Sequence, residues 1–293
     1  MARQKAISIL QATNTKADLK EISGFVIDGI RKNTLASALK SQMYNGNPAA
    51  GSVEFRRFKN ASSAAYGTAR TAGKGTAITA PPTVVNLDKH KEIVEECAKF
   101  DLDTFGVGNI MARRADNHVD VMTAELDTAF FAEAKTGGTA YANAGSLTDV
   151  NKIIEDAVLG LESVKNDYVS GVPRYMVRVI LCPEYYSAMR LYFDDKPRAN
   201  VTTAEEEFDV YHGIKCYSSI YLPTGVKFVC MIDGAIAQPV VIYPYKDPEK
   251  IPLSNDVGIS LFYDYGTKTL TPDLCFYYAP TTQTTPTNPS GDN

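Results

Sequence analysis

This chain has none of the local signatures that announce a chemistry. No window approaches the roughly 20 consecutive apolar residues that a membrane helix needs, and Met1–Leu10 lacks a signal peptide's apolar centre and cleavage site. Those absences exclude a helical membrane protein and place the chain in the cytoplasm where it is made. Cysteine is sparse. Cys97, Cys182, Cys216, Cys230 and Cys275 are odd in number, widely spaced and free of any CxxC pair, which excludes a disulfide framework and predicts reduced, mostly buried thiols. His90, His118 and His212 lie far apart in sequence and belong to no HExxH-type cluster, so no metal is implied. No GxSxG elbow is present, and Cys182, at the end of an apolar strand, is a buried thiol rather than a nucleophile.

Near-motifs fail on spacing. Gly67 to Gly75 imitates a phosphate-binding loop, but five residues separate Gly67 from Gly73 where four are needed, and Gly75 stands where a magnesium-binding hydroxyl belongs. Gly106-Val107-Gly108 lacks a third glycine and a clean preceding strand. His212 and Cys216 are four apart, but Gly213 breaks the helix that would join them. In Glu205-Glu206-Glu207 with Asp209, consecutive acids point in different directions, as in a solvated loop. No catalytic residue and no cofactor follow from these patterns.

What is present is uneven. Residues 1–83 hold 12 Lys/Arg against 4 Asp/Glu, leaving 18 against 30 in the remaining 210 residues. A basic arm beside an acidic body favours head-to-tail association of copies. Within Ala61–Thr83, 19 of 23 residues are Gly, Ala, Ser, Thr or Pro, too little apolar area to order the segment by itself. Its flanks are strand-like, with Val53, Phe55 and Phe58 before and Val84, Val85 and Leu87 after, so the stretch reads as an extended hairpin with a mobile end. Phe55 and Phe58 interleave with Arg56, Arg57 and Lys59 as in nucleic-acid binders. Strand alternation explains the same spacing, and the acidic remainder of the chain favours a subunit contact.

From Asn109 to Ala134, the positions Met111, Ala115, Val119, Met122, Leu126 and Phe130 recur every three to four residues. This predicts one long helix capped by Asn109 and closed before Gly137-Gly138. Upstream, residues 1–43 form an arm with a short helix near Asp28–Lys40, and Lys89–Phe100 fits helix or strand equally well. Downstream, Ser146 opens a second helix with a stripe of Leu147, Val150, Ile154, Val158 and Leu161 that Gly171-Val172-Pro173 ends. Strands are expected at Tyr175–Leu181, Ile214–Ile220, Val226–Ile232, Val240–Tyr243, Ile259–Tyr265 and Thr269–Tyr278, with a helix at Pro183–Tyr192 and a tight turn or bulge at Gly266. Residues 280–293 contain no strong apolar residue and read as a disordered tail.

An arm, a basic extended loop, a strand-like return (Val84-Val85-Asn86-Leu87-Asp88-Lys89), a spine helix, an α/β unit and closing strands together resemble the major capsid proteins of tailed bacteriophages, the Hong Kong 97 fold. The resemblance implies an α+β architecture with 1–43 as N-arm, 44–83 as E-loop, and 84–146 with 236–279 as a peripheral domain carrying the spine helix 109–134. It makes 147–235 the axial domain. It also implies a non-enzymatic chain that assembles with itself into homo-pentamers and homo-hexamers of an icosahedral shell in the host bacterial cytoplasm. The shell would enclose double-stranded DNA held on its inner face without sequence specificity, with no membrane. A portal and a separate scaffolding protein, or no scaffold, would complete the particle, since only about 40 residues precede the loop. By the same resemblance Arg56, Arg57, Lys59, Arg70 and Lys74 of one E-loop would meet acids of the next copy, drawn from Glu92, Glu95, Glu96, Asp116 and Asp120. A Lys74–Asn255 cross-link is not expected, because no motif marks it. Two alternatives remain open: an encapsulin-like nanocompartment around a protein cargo, and a soluble α/β enzyme or ligand-binding protein with residues 61–83 as a lid.

Overall fold

The structure, a computed structural model, describes residues 22–30, 33–68, 71, 75, 77–142, 147–194, 210–245 and 249–280. Its organising element is the 31-residue helix Val107–Gly137, about 46 Å long at 1.5 Å per residue. Met111, Ala115, Val119, Met122, Leu126 and Phe130 fall on one stripe, and all six are buried. The helix outruns the predicted span at both ends. It starts directly after Gly106, whose φ of 75° separates it from the preceding helix Lys99–Phe105, so Asn109 lies inside the first turn rather than at the cap. At the far end a Cβ on Gly138 would stand 2.3 Å from the Ala134 carbonyl oxygen, which leaves no room for a side chain.

The first half of the stripe packs on a four-stranded antiparallel sheet. Its central strand, Val257–Tyr265, pairs along its whole length with Lys89–Cys97 on one side and with Val240–Ile242 and Glu249–Lys250 on the other. The ambiguous segment after Asp88 is therefore a strand, decided by a partner 160 or more residues away rather than by local spacing. Alternation turns Ile259, Leu261, Tyr263 and Tyr265 toward the helix, where they bury with Met111, Ala115, Val119, Met122 and Leu126 and with Val26 and Ile30 of the helix at 22–30.

The second half of the stripe reaches a different sheet. Six strands run in the order Thr139–Ala140, Cys275–Tyr278, Phe228–Ile232, Val177–Leu181, Ile214–Ser218, Val210–Tyr211. One face of this sheet is covered by helix Val150–Glu162 through Ile153, Ile154, Ala157, Val158 and Leu161, with Met189 of helix Pro183–Asp194 beside them. The other face packs Ile180, Val229, Met231 and Cys275 against Phe130, Phe131 and Ala134 of the spine helix, together with Ala36 and Leu39 of the short helix Leu35–Leu39. A single helix thus supplies side chains to two cores.

Several expectations need correction. The second helix begins at Val150, with Ser146 outside the described residues, and it ends at Glu162 rather than at Gly171. Residues 163–170 form a turn instead. There the Asn166 side-chain oxygen accepts from the Tyr168 and Val169 N–H groups, both at 2.9 Å, which competes with helical bonding. The closing run Thr269–Tyr278 is not one strand, because Pro272 has no N–H for a ladder. Lys268–Thr269 pairs with Ile236–Ala237, Pro272–Leu274 is a 3-10 turn, and Cys275–Tyr278 joins the six-stranded sheet. His212 and Gly213, with φ of 47° and 86°, turn the chain between Val210–Tyr211 and Ile214–Ser218. All five cysteines are free and Cys182 alone is not buried. Burial pushes the Cys216 and Cys275 thiols up to about 12, which suppresses the nucleophilic thiolate. Arm residues 1–21, the acidic run 205–209 and the tail from 281 lie outside the described residues.

The arm is tied to the spine helix by a carboxylate. Thr34 gives the helix Leu35–Leu39 no side-chain cap; Asp127, 1% exposed, accepts instead from the Leu35 and Ala36 N–H groups at 3.2 and 2.9 Å. Burial raises the Asp127 carboxyl from 3.8 to about 6, against the smaller opposing pull of the two backbone donors. A folded-state pKa above the unfolded one means that the native protein holds the extra proton between those values. The contribution is fully present below about pH 4 and is lost as pH rises through about 6, with a ceiling near 3 kcal/mol for a two-unit shift. Chemical denaturation of the parent and Asp127→Asn at pH 4.5 and 7.5 should show the parent gaining stability relative to the variant at the lower pH. An unchanged difference between them would contradict the assignment.

Candidate subunit interface

The hairpin expected around the small-residue loop is present. Ser52–Arg56 and Pro82–Asn86 pair antiparallel, with Val53 opposite Val85 and Phe55 opposite Thr83. Alternation buries Val53, Phe55 and Val85, which pack with Ala237 and against Leu270 at the junction of the two sheets. The Lys268 ammonium donates to the Val84 carbonyl at 3.1 Å, and the Asn86 carbonyl oxygen lies so close to Gly266 that a Cβ there would stand 1.9 Å from it. Gly266 is thus a site of close backbone approach between the hairpin return and the strand Val257–Tyr265. Farther out, the described residues 61–66 and 77–79 are exposed and without regular structure, and Tyr66 and Ile78 are 92% and 87% exposed.

The basic residues at the hairpin divide. Arg56 points outward and pairs with Glu54 on the same face of its strand. Arg57 makes a fork to Asp273, with Nη1–Oδ1 and Nη2–Oδ2 distances of 2.6 and 2.8 Å, and its guanidinium carbon lies 4.4 Å from the centre of the Tyr168 ring. Lys59 donates to the Asp167 carboxylate at 2.8 Å, which holds that carboxyl below its ordinary range. Arg70 and Lys74 lie outside the described residues.

The acidic set divides as well. Cross-strand partners share a face of the four-stranded sheet, so Glu92, Val94 and Glu96, opposite Phe262, Ser260 and Gly258, lie on the face turned away from the spine helix. Glu92 and Glu96 are exposed there, beside a Val94 that is 55% exposed. Glu95 faces the helix instead. The Arg114 guanidinium and the His118 ring, 3.2 Å away, both meet it, and the Arg114 hydrogen bond, aided by His118, outweighs partial burial and lowers its carboxyl pKa. His118 is buried, with its Nδ1 2.6 Å from the Tyr245 hydroxyl. Asp116 and Asp120, one turn apart, are exposed on the spine helix, on the other side of this layer.

Sequence reasoning missed the residues that receive Arg57 and Lys59. Asp273 follows a proline inside a run read as a strand, and Pro272 was the signal that the run is interrupted there. Asp167 lies in Lys165-Asn166-Asp167-Tyr168, whose Asn-Asp pair marks a turn but not what the turn would meet. Among the described residues no group of three or more His, Cys, Asp or Glu could hold a metal ion. A groove of about 720 Å³ runs between the arm and the strand Val240–Ile242; among the described residues that line it, Lys40 is the one that is charged.

No family model matches this chain, and no curated protein matches it in sequence. Solved structures do match. A structure from Mycobacterium phage Che8 aligns with a TM-score of 0.57 at 15% identity, over 82% of this chain and 93% of that one. The capsid structure of the cyanophage P-SCSP1u gives 0.59 at 14% identity, over 82% and 85%. A virus-like particle from Pyrococcus furiosus gives 0.54 at 12% identity, over 88% and 98%. The chain has the α+β fold of phage capsid proteins, as the order of its parts led one to expect.

The close approach at Gly266 gives this site its own test. Gly266→Ala should force the Asn86 carbonyl outward, at a cost of about 1–3 kcal/mol by the usual penalty of overpacking, and thermal denaturation of the purified chain measures it. An unchanged midpoint would mean that the hairpin return does not sit against this strand.

Proposed function

We propose that this chain is the major capsid protein of a tailed bacteriophage, a structural subunit that assembles with copies of itself into a shell around double-stranded DNA. The observation that carries the proposal is the fold shared with the cyanophage capsid structure over 82% of the chain. The physical design supports it. A hairpin whose buried part, among the described residues, is Val53, Phe55 and Val85 projects exposed Tyr66 and Ile78 from the body, an arrangement that suits a contact with another copy. In this role the four-stranded unit with the spine helix serves as peripheral domain and the six-stranded unit as axial domain. The arm and hairpin are the connectors between copies, and pentamers and hexamers are the closed rings. Scaffolding protein, portal and packaged DNA are the further partners, and the virion capsid is the location.

For the contact between copies, the sheet face with Glu92, Val94 and Glu96 fits the outer face of a neighbour's hairpin. That face carries exposed Phe58 and Val84 beside the Arg56–Glu54 pair, so apolar side chains meet Val94 and Arg56 is the cation that Glu92 and Glu96 would draw from Glu54. Individually such exposed pairs contribute about 0–1 kcal/mol, and the stability of a shell comes from their repetition with apolar packing.

Expressed alone and viewed by negative-stain electron microscopy after size-exclusion chromatography, the chain should form shells, rings of five or six, or tubes. A chain that stays monomeric at high concentration and with scaffolding protein supplied would overturn the proposal. Within an assembling parent, Glu92→Lys with Glu96→Lys should block assembly while changing the stability of the isolated subunit by no more than about 0.5 kcal/mol per exposed site. Normal assembly of that double variant would remove this sheet face from the contact.

A further inference from the structure

The two inward-turned cations at the hairpin root meet one seat, and its geometry is built from three separate parts of the chain. Asp273 lies in the turn between the strand beneath the hairpin base and a strand of the six-stranded sheet. Its Oδ2 accepts from Asn166 Nδ2 at 2.6 Å as well as from Arg57, so the carboxylate is oriented before the guanidinium arrives. Although partial burial pushes its pKa up, the Arg57 and Asn166 hydrogen bonds hold the Asp273 carboxyl below the ordinary value. Asn166 is itself fixed, since its Oδ1 accepts the Tyr168 and Val169 N–H groups. Tyr168 lies under the Arg57 guanidinium. One step outward, the Asn60 N–H donates to the Asp167 carbonyl at 2.8 Å and the Lys59 ammonium to the Asp167 carboxylate, while the Lys59 N–H donates to the Thr79 carbonyl at 3.1 Å. The outgoing strand is thus held directly and the returning strand through Lys59.

We propose that Arg57 and Asp273, oriented by Asn166 and Tyr168 and extended by Lys59 and Asp167, form a clasp that sets the direction in which the hairpin leaves its own subunit. Arg57 and Lys59 are then positioning residues for assembly and not contacts with a neighbour. The consequence for assembly rests on the shell function proposed above; the clasp itself does not. Leverage explains why a fixed root matters. A ten-residue arm reaches about 33 Å, so a swing of about 10° at the root moves its end by about 6 Å, more than a side chain can accommodate. A forked pair covered by an aromatic ring restrains such a swing better than a point charge does. The clasp also couples the hairpin to the six-stranded unit, because the 163–170 turn follows the helix Val150–Glu162 that packs on that sheet.

Hydrogen exchange of unassembled subunits, read at peptides covering Asn60 and residues 165–170, tests the clasp, and light scattering during assembly tests its consequence. Arg57→Ala and Asp273→Asn should speed exchange at Asn60 about tenfold, as expected for loss of one charge-assisted hydrogen-bonded pair, and should slow assembly by a similar factor. Arg57→Lys should fall between parent and Arg57→Ala, and the reciprocal pair Arg57→Asp with Asp273→Arg should restore both readings only in part, because the Asn166 amide then faces a second donor and the Tyr168 ring a carboxylate. If the Asp273 variants do not fold, Asp167→Asn, at a side chain 72% exposed, gives the same two readings. Unchanged exchange in Arg57→Ala would overturn the clasp, and faster exchange with parental assembly would overturn its positioning role. A parent that never assembles would reject the shell function, with the exchange data still deciding the clasp.

Discussion

Everything else in this molecule depends on one apolar stripe. Met111 through Leu126 bury against the four-stranded sheet, and Phe130, Phe131 and Ala134, one to two turns farther on, bury against the six-stranded sheet. Each fully buried side chain of this size contributes about 1.5–3 kcal/mol, so the helix fastens two sheets that share no strand into a single body. Its polar groups refine the seam. Glu125 receives the Tyr263 and Tyr265 hydroxyls at 2.7 and 2.9 Å and the Lys91 ammonium at 2.8 Å, while Asp127 caps the arm helix from below. In the shell subunit proposed above, a rod with two sheets fixed along it would carry contacts from one end to the other.

The hairpin is the opposite kind of element. Its own core is small, and the described residues 61–66 and 77–79 of its outer half present side chains to solvent, so its conformation depends on what holds its root and what it meets. The root is held at two levels. Val53, Phe55 and Val85 seat on Ala237 at the sheet junction, and the clasp around Asp273 fixes the strand just beyond. On the proposed function, a stiff body with a projecting arm would supply both halves of a head-to-tail contact on one chain, which closes into rings when the rotation between copies allows.

The fold was legible where its cause was local. The 3–4 spacing from Met111 to Phe130 identified the spine helix because burial on one side of a helix leaves a periodic trace, and the β-branched and aromatic residues around Val53–Phe58 and in Ile259–Tyr265 did the same for the strands Ser52–Arg56 and Val257–Tyr265. Helix Val150–Glu162 showed its stripe but not its end, since the turn at Asn166 is made by a side chain competing with the backbone. Lys89–Cys97 could not be typed because its identity comes from a strand far along the chain. At the candidate interface, the basic cluster and the acidic strand were both visible as residue types. Their partners were not. Arg57 finds an acid 216 residues away and Lys59 one 108 residues away, and Glu95 differs from Glu92 and Glu96 only by the face that strand parity gives it.

Parity and long-range pairing both predict where a second copy can touch, and a cryo-electron microscopy reconstruction of particles formed by the purified chain tests that most directly. The map should show the spine helix unbroken between the two sheets, Arg57 on Asp273 of its own subunit, and the outer hairpin face of one copy lying over Glu92, Val94 and Glu96 of the next. A hairpin folded back on its own four-stranded sheet, with neighbouring copies joined elsewhere, would contradict it.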